Sequence, residues 1–190
     1  MGLPAVLTVA LMFCMCAVVA EESGERQAYD VDEAYAVYSV LLPQEESFAF
    51  ATGTLVIHEE TVPNTDAGAC LTKEAAKKFK DAVTNFARVN RKNWALQRHF
   101  EIKKPYDLVS EDTIRAVLVE GDWDNFYKRY SGSGGYITFS AVGFNPDKTQ
   151  AIVYSGSQCG NLCGRWSFHL LEKVGGKWKQ ANGVTCETVS

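Results

Sequence analysis

The residues of this chain with the clearest capacity for covalent chemistry are its cysteines. Four of them follow position 20, at Cys70, Cys159, Cys163 and Cys186. Four cysteines permit three pairings, which the sequence does not decide. We favour structural disulfides between Cys159 and Cys163 and between Cys70 and Cys186, because an even set of cysteines in an exported chain is typical of a disulfide framework.

A thiol-redox or metal site at Cys159 and Cys163 is the main alternative. Thioredoxin-like chemistry uses Cys-x-x-Cys at the N-terminus of a helix, where the dipole lowers the thiol pKa. The spacing here is Cys-x-x-x-Cys, at the tip of a predicted hairpin. A zinc site would need all four cysteines or a histidine to converge. The sequence therefore predicts no metal and no cofactor.

Other candidate motifs lack the partners that their chemistry requires. His58-Glu59-Glu60 has no second histidine to complete His-Glu-x-x-His. The serine and glycine run at 131–135 is not followed by Gly-Lys-Ser/Thr and precedes a predicted strand, whereas a phosphate loop opens a helix. Neither serine of that run lies in Gly-x-Ser-x-Gly. We therefore assign no catalytic residue, and a secreted hydrolase stays an alternative function.

The first twenty residues predict export. They carry no charged side chain and are apolar from Leu3 onward, and Val18 and Ala20 occupy the −3 and −1 positions of a signal-peptidase site. We expect a signal peptide at 1–20 and a periplasmic or secreted protein. Because the apolar stretch approaches the length that spans a bilayer, an uncleaved membrane anchor is the alternative.

Length and charge narrow the organisation and the partner classes. Residues 21–190 are enough for one domain with a real core, and they keep the formal net charge of −4. Such a weak charge gives no general attraction to nucleic acid or to anionic lipid. We predict a disordered stretch at 21–27, a single domain at 28–190, no nucleic-acid partner and no stable membrane insertion after cleavage. The sequence does not fix the oligomeric state.

Helical periodicity marks three stretches of the chain. Asp30 and Glu33 have the spacing of an N-cap and an N3 carboxylate, and apolar residues then recur at helical spacing until Pro43. Thr72 is predicted to begin a second helix and Ser110 a third, followed by an aromatic helical pattern at 123–130. The polar face of the second helix carries Lys73, Lys77, Lys80, Arg88 and Arg91. We interpret that stripe as a solvated face in preference to a docking site for an anionic partner.

Strand patterns occur at 48–57, where Gly53 marks a bulge or a break, at 97–102, and four times in the last third. The last four lie at 136–144, 150–156, 165–171 and 177–184, separated by turn residues and by the cysteine loop. We expect them to form a mainly antiparallel C-terminal sheet of about four strands. N-terminal helices packed on that sheet give an α+β fold.

A series of aromatic and glycine-containing runs extends through the last third of the chain. They are Phe-Tyr-Lys-Arg-Tyr at 126–130, Ser-Gly-Gly-Tyr at 133–136, Ser-Ala-Val-Gly-Phe-Asn at 140–145, Cys-Gly-Asn-Leu-Cys-Gly at 159–164 and Gly-Lys-Trp at 176–178. This pattern resembles that of a group of uncharacterised exported bacterial proteins, although Arg165 stands where another small residue is expected. The resemblance implies export and a β-rich C-terminal core, and it transfers no catalytic residue.

These observations predict an exported, disulfide-stabilised domain that acts in binding or in the cell envelope and is not an enzyme. The alternatives are a thiol-redox or metal-binding protein using Cys159 and Cys163, and a secreted hydrolase. We place a possible ligand surface at the cysteine loop and the neighbouring aromatic residues Tyr154 and Trp166, because crosslinked hairpin tips present rigid surfaces. The sequence does not identify the ligand.

Overall fold

The computed structural model describes residues 26–64, 66–67, 70–181 and 186–189. The predicted signal peptide at 1–20 lies outside the described residues, as does most of the predicted disordered stretch at 21–27. Helices α1 to α6 are Asp32–Leu41, Glu46–Phe50, Lys73–Lys78, Lys80–Val89, Glu111–Val117 and Trp123–Arg129. Strands β1 to β8 are Leu55–His58, Tyr106–Val109, Tyr136–Phe139, Gly143–Phe144, Gln150–Gly160, Cys163–Val174, Lys177–Gln180 and Cys186–Val189.

Helix α1 buries the face that its sequence periodicity predicts. The buried residues are Ala34, Tyr35, Val37, Tyr38 and Leu41. The helix ends where Pro43 enters a 3₁₀ turn, Leu42–Gln44. The predicted capping by Asp30 is wrong, because the N-cap is Val31 and it makes no side-chain capping bond. Acidic Asp32 and Glu33 in the first turn instead favour the helix through its dipole.

The strands form one mixed sheet, and the α+β class is confirmed. Its order is β2-β1-β3-β5-β6-β7, with β4 also paired to β5 and β8 to β6. Strand β1 pairs in parallel with both β2 and β3, whereas the pairs from β3 onward are antiparallel. The expectation of about four strands is wrong, because the described part of the chain contributes eight.

The first half of the chain also departs from the predicted strands. Residues 48–57 are divided between α2, a turn and β1, so that only the second part is extended. Residues 97–102 form no strand, since their backbone amides bind side chains of α1. The amide of Gln97 donates to the Tyr35 hydroxyl at 2.7 Å, and that of Glu101 to Ser39 Oγ at 2.9 Å. The strand that pairs with β1 on the side away from β3 is β2, which follows Pro105.

The second predicted helix begins where expected and is then interrupted. Thr72 Oγ1 accepts a hydrogen bond from the amide of Ala75 at 3.2 Å, which confirms the cap. Phe79, with φ −103° and ψ 21°, ends α3 and precedes α4 while its ring is buried in the core. The predicted basic stripe is therefore divided among α3, α4 and the turn after α4. Ser110 caps α5 as predicted, since its hydroxyl accepts from Thr113.

Helices cover both faces of the sheet. One face packs on α1 through Leu55, Ile57, Ile137, Phe139, Val153 and Leu171. On the other face, α4 covers β5 and β6 through Phe79, Ala82, Phe86, Ile152, Phe168 and Leu170. Helices α5 and α6 cover β1 and β2 on that same side through Val56, Val109, Ile114 and Phe126. The long β5 and β6 hairpin thus extends between helical layers and carries the cysteine loop at its tip.

Candidate functional site

The cysteine loop is a crosslinked turn between β5 and β6. Cys159 and Cys163 form a disulfide with their Cα atoms 5.1 Å apart, so this predicted pair is confirmed. The Tyr127 hydroxyl on α6 donates to the Cys159 carbonyl at 2.9 Å, which ties the loop to the helical layer. Leu162 at the tip is 89% exposed. This hairpin differs from the helix N-terminus at which thiol-redox cysteines are activated.

Cys70 is also disulfide-bonded. The prediction that its partner is Cys186 depends on a side chain outside those that the structure describes, and it stays a prediction. Strand β8 begins at Cys186 and pairs with β6, where Cys186 lies opposite Phe168. Cys70 packs against the core cluster that contains Phe168, so the two backbones border the same part of the sheet.

The predicted aromatic surface, Tyr154 and Trp166, lies on the sheet face that α4 partly covers. Both side chains are half-buried. The centroids of the Tyr154 and Phe168 rings lie 4.8 Å apart, and burial raises the pKa of the Tyr154 hydroxyl. Trp166 lies over Gly156, where a Cβ would stand 2.2 Å from indole Cδ1. Much of the surface of both rings is therefore packed against other residues of the sheet.

Four polar side chains, here called the Ser155 network, lie beneath the segment that joins α1 to α2. Ser155 Oγ donates to Glu45 Oε1 at 2.5 Å and lies 2.9 Å from His169 Nε2. His169 Nδ1 lies 3.1 Å from Gln180 Nε2. Ser155, Glu45 and His169 are only 1%, 5% and 8% exposed. A serine, a histidine and a carboxylate therefore meet in a site closed to substrate.

The hydrogen-bond directions in the Ser155 network differ from those of a catalytic triad. The Gln180 amide nitrogen can only donate, so His169 Nδ1 accepts and the ring proton is on Nε2. That proton points to Ser155 Oγ, whose own proton goes to Glu45. Burial lowers the pKa of His169 to about 4, which keeps the ring neutral. The histidine is thus a donor to the serine, whereas a triad histidine accepts the serine proton.

The motif at His58 gathers charged residues at the end of β1. His58 is buried, with Nδ1 2.7 Å from the Glu60 carbonyl and Nε2 3.3 Å from Glu111 Oε2. Arg26 bridges Glu59 at 2.6 Å and Glu60 at 2.9 Å. The residues that the structure describes contain no group of three histidine, cysteine or acidic side chains that could hold a metal ion. These contacts support a structural role for the motif.

A concave surface on another part of the molecule is a groove of 1290 Å³. One wall is formed by residues 27–31, the second by α4 and the turn after it, and the third by the segment 142–148 around β4. The walls hold together through side chains that bridge them. Asn85 Oδ1 on α4 accepts from the Phe144 amide at 3.0 Å, and the Tyr29 hydroxyl accepts from the Val142 amide at 2.8 Å.

Positive charge is concentrated in this groove, which we call the cationic groove. Its charged lining residues are Arg88, Arg91, Lys92, Lys148, Asp30 and Asp81. Four cations and two carboxylates give a local formal charge of +2 on a chain whose net charge is −4. Lys92 hydrogen-bonds Gln27, and its Nζ lies 4.1 Å from the centroid of the Trp94 ring. An anionic group entering the groove would therefore meet fixed positive charge.

The sequence pattern contains two of the cations of the cationic groove but does not predict the groove. Arg88 and Arg91 belong to the predicted basic stripe, but Lys73 and Lys77 of that stripe lie on α3 and do not line the groove. The other walls come from residues about 50 positions before and after α4, and no local pattern marks their approach. One local signal was the pair Lys92 and Trp94, since a lysine ammonium is attracted to the face of a tryptophan ring.

Comparison with models of known protein families, with curated proteins and with solved structures finds no match to this chain. Across the described part of the chain, every helix is too short or too polar to cross a membrane.

Proposed function

We propose that this protein is an exported, disulfide-braced binding domain without catalytic activity, and that the cationic groove is its ligand site. The observation that carries the proposal is the groove itself, an open concavity of 1290 Å³ with a local charge of +2. Ligand sites are concave and mostly apolar, with a small number of polar groups that fix orientation. The cationic groove is concave and is lined by apolar residues such as Trp94 and Phe144 as well as by charged ones, so it is more polar than such sites usually are.

The closed state of the Ser155 network supports a binding role over hydrolysis. A nucleophilic serine must reach a carbonyl carbon and transfer its proton to a base. Ser155 is 1% exposed, and its proton is bound to Glu45. The network has neither the access nor the proton direction that acyl transfer needs.

Two observations support export. Cys159 and Cys163 are joined in a disulfide, and Cys70 is also disulfide-bonded. Disulfides form and persist in oxidising compartments and are rare in the reducing cytosol. The signal-like segment at 1–20 and the resemblance in the last third of the sequence agree with this localisation.

Blocking the cationic groove tests the proposed function. Thr84 is exposed and lines the groove, so Thr84→Trp would occupy the space of a ligand. Lys77→Trp adds the same ring to an exposed position of α3 outside the groove and is the matched control. The three proteins are passed over immobilised acidic, basic and neutral peptides and polysaccharides. We expect one ligand class to be retained by the wild type and the control, and to bind Thr84→Trp about tenfold more weakly.

Two results would contradict the proposal. Retention of every bound class by Thr84→Trp at wild-type strength would place the ligand outside the groove, and retention of no class would remove the binding role. An esterase activity of the purified protein that Ser155→Ala abolishes would show that the buried network opens and that the protein is a hydrolase.

A further inference from the structure

We infer that the ligand of the cationic groove is an acidic peptide segment of a partner protein, with carboxylates placed beside apolar side chains. The inference rests on the proposed function and names the chemical class of ligand for the same site. Three observations support the inference: the exposed, unpaired arginines, the mixed lining of the groove and the volume of the groove.

The arginines of the groove are not used in ion pairs, a state that they share with many other cations of the described residues. Some cations are held in ion pairs, such as Arg26 with Glu59, Lys78 with Glu172 and Lys173 with Glu33. Among the residues that the structure describes, Arg88 and Arg91 form no ion pair and both are exposed. Their guanidinium groups are therefore available to bind carboxylates in bidentate geometry.

The mixed character of the lining favours a peptide over a uniform polyanion. Asp30 and Asp81 line the same groove and would repel a chain that carries a negative charge on every unit. The lining also includes the apolar side chains of Val31, Trp94 and Phe144. A segment that alternates carboxylate and apolar side chains matches both features, since its acids can meet the arginines while its apolar side chains cover the hydrophobic wall.

The volume of the groove favours a ligand larger than a single small molecule. Its 1290 Å³ exceed the range of about 300 to 1,000 Å³ that is typical of sites for single small molecules. The Asn85 carbonyl oxygen is occupied by the Phe144 amide, whereas its NH₂ group has no partner among the described residues. That group is a suitable donor to a peptide carbonyl. The groove thus offers cations for side chains and an amide for a backbone.

Charge reversal inside and outside the groove tests this inference. The probes are a fluorescein-labelled synthetic peptide of alternating glutamate and leucine, the same peptide with glutamine for glutamate, and a sulfated polysaccharide. The variant Arg88→Glu with Arg91→Glu is compared with Lys73→Glu with Lys77→Glu, which changes the net charge equally on exposed positions of α3. We expect the glutamate peptide to bind the wild type and the α3 variant, and to bind the groove variant about tenfold more weakly. The glutamine peptide should bind weakly to all three.

The remaining outcomes overturn the inference in distinguishable ways. Equal weakening in both variants would mean diffuse attraction to net charge. Binding of the sulfated polysaccharide alone, lost in the groove variant, would replace the peptide by a polyanion and leave the proposed binding function in place. Absence of binding by all three probes would reject the acidic ligand class, and the Thr84→Trp experiment would then decide the proposed function separately.

Discussion

The Ser155 network and the cationic groove are both polar regions, yet their polar groups are used in different ways. In the network, Ser155, His169 and Gln180 are joined in a continuous chain of hydrogen bonds that ends on Glu45. In the groove, Arg88 and Arg91 are exposed and form no ion pair with the described residues. The first region contains the residue types of catalysis, and the second contains ordinary surface cations.

This difference shows that residue type alone is a poor guide to function. A buried polar group must find a partner because an unpaired one costs about 1 to 3 kcal/mol. Each member of the Ser155 network has such a partner, and these hydrogen bonds stabilise the fold. An exposed guanidinium is solvated and needs no partner, so it can exchange water for a ligand at little cost. The comparison therefore supports a structural role for the network, and it agrees with the binding role that we propose for the groove.

The largest effect is expected at Gly143, where the wall of the groove depends on close packing of β4 against α4. A Cβ at this position would lie 2.5 Å from the Ala82 carbonyl oxygen and 2.5 Å from Phe86 Cβ. Because two of the three nearest atoms are backbone atoms and the third is the Cβ of buried Phe86, Gly143→Ala should lower the free energy of unfolding by about 3 kcal/mol. Urea denaturation of the purified protein measures this change.

Gly160→Ala provides the control for Gly143→Ala. A Cβ at Gly160 would meet Cys163 Cβ at 3.2 Å and nothing else within 4 Å, so the loss should stay below about 1 kcal/mol. Equal midpoints for wild type and Gly143→Ala would show that α4 can move away from β4. The groove would then be a loosely held surface, and the proposed contrast between two ordered regions would fail.

The Ser155 network should make stability depend on pH. The pKa of His169 is about 4 in the folded protein, below its ordinary value of 6.5, because burial disfavours the imidazolium. Between pH 6.5 and 4 the unfolded chain therefore takes up a proton that the folded protein does not. Stability should fall as the pH falls through this interval, by about 3 kcal/mol in total. A protonated Nδ1 would also face the NH₂ group of Gln180, and Glu45, 4.0 Å from Nε2, offsets only part of this cost.

Thermal unfolding of wild type, His169→Gln and His99→Gln between pH 7 and pH 4 measures the contribution of His169. His99→Gln is the matched control, because it makes the same replacement at an exposed histidine outside the network. His169→Gln should remove the component that develops below about pH 6.5. The same pH dependence in all three proteins would mean that His169 is accessible to solvent protons in the folded state, and that the network is not closed.

The parts of the fold that the sequence predicts correctly are those fixed by local signals. Pro43 ends α1, Thr72 and Ser110 cap their helices, and turn residues separate the last strands. The errors arise where distant contacts decide the conformation. Burial of Phe79 interrupts a helix that its pattern would continue, and the parallel pairing of β1 with β2 and β3 joins segments far apart in sequence. A single sequence contains no local record of such contacts.

The same limit applies to the candidate sites. The disulfide between Cys159 and Cys163 was predictable because the two residues are four apart in one hairpin. The Ser155 network was not, since Glu45 and Ser155 are separated by 110 positions and neither lies in a recognisable motif. The cationic groove likewise combines α4 with residues 27–31 and 142–148. The proposed ligand site depends on tertiary structure, and a ligand surface at Tyr154 and Trp166 stays a prediction.

The smallest change in the free energy of unfolding is expected for the groove arginines. Comparing it with the change caused by Ser155→Ala tests the difference between the groove and the network directly. Arg88→Gln with Arg91→Gln should change the free energy of unfolding by no more than about 0.5 kcal/mol, because both side chains are exposed and unpaired among the described residues. The helix dipole favours Arg88 at the end of α4, and that contribution is small. Ser155→Ala should cost about 2 kcal/mol, because it removes a bond to a carboxylate and leaves His169 Nε2 without its acceptor. Urea denaturation of both variants measures the ratio. If neutralising the arginines cost as much as Ser155→Ala, the groove would be part of the structural framework, and the assignment of binding to it would lose its physical basis.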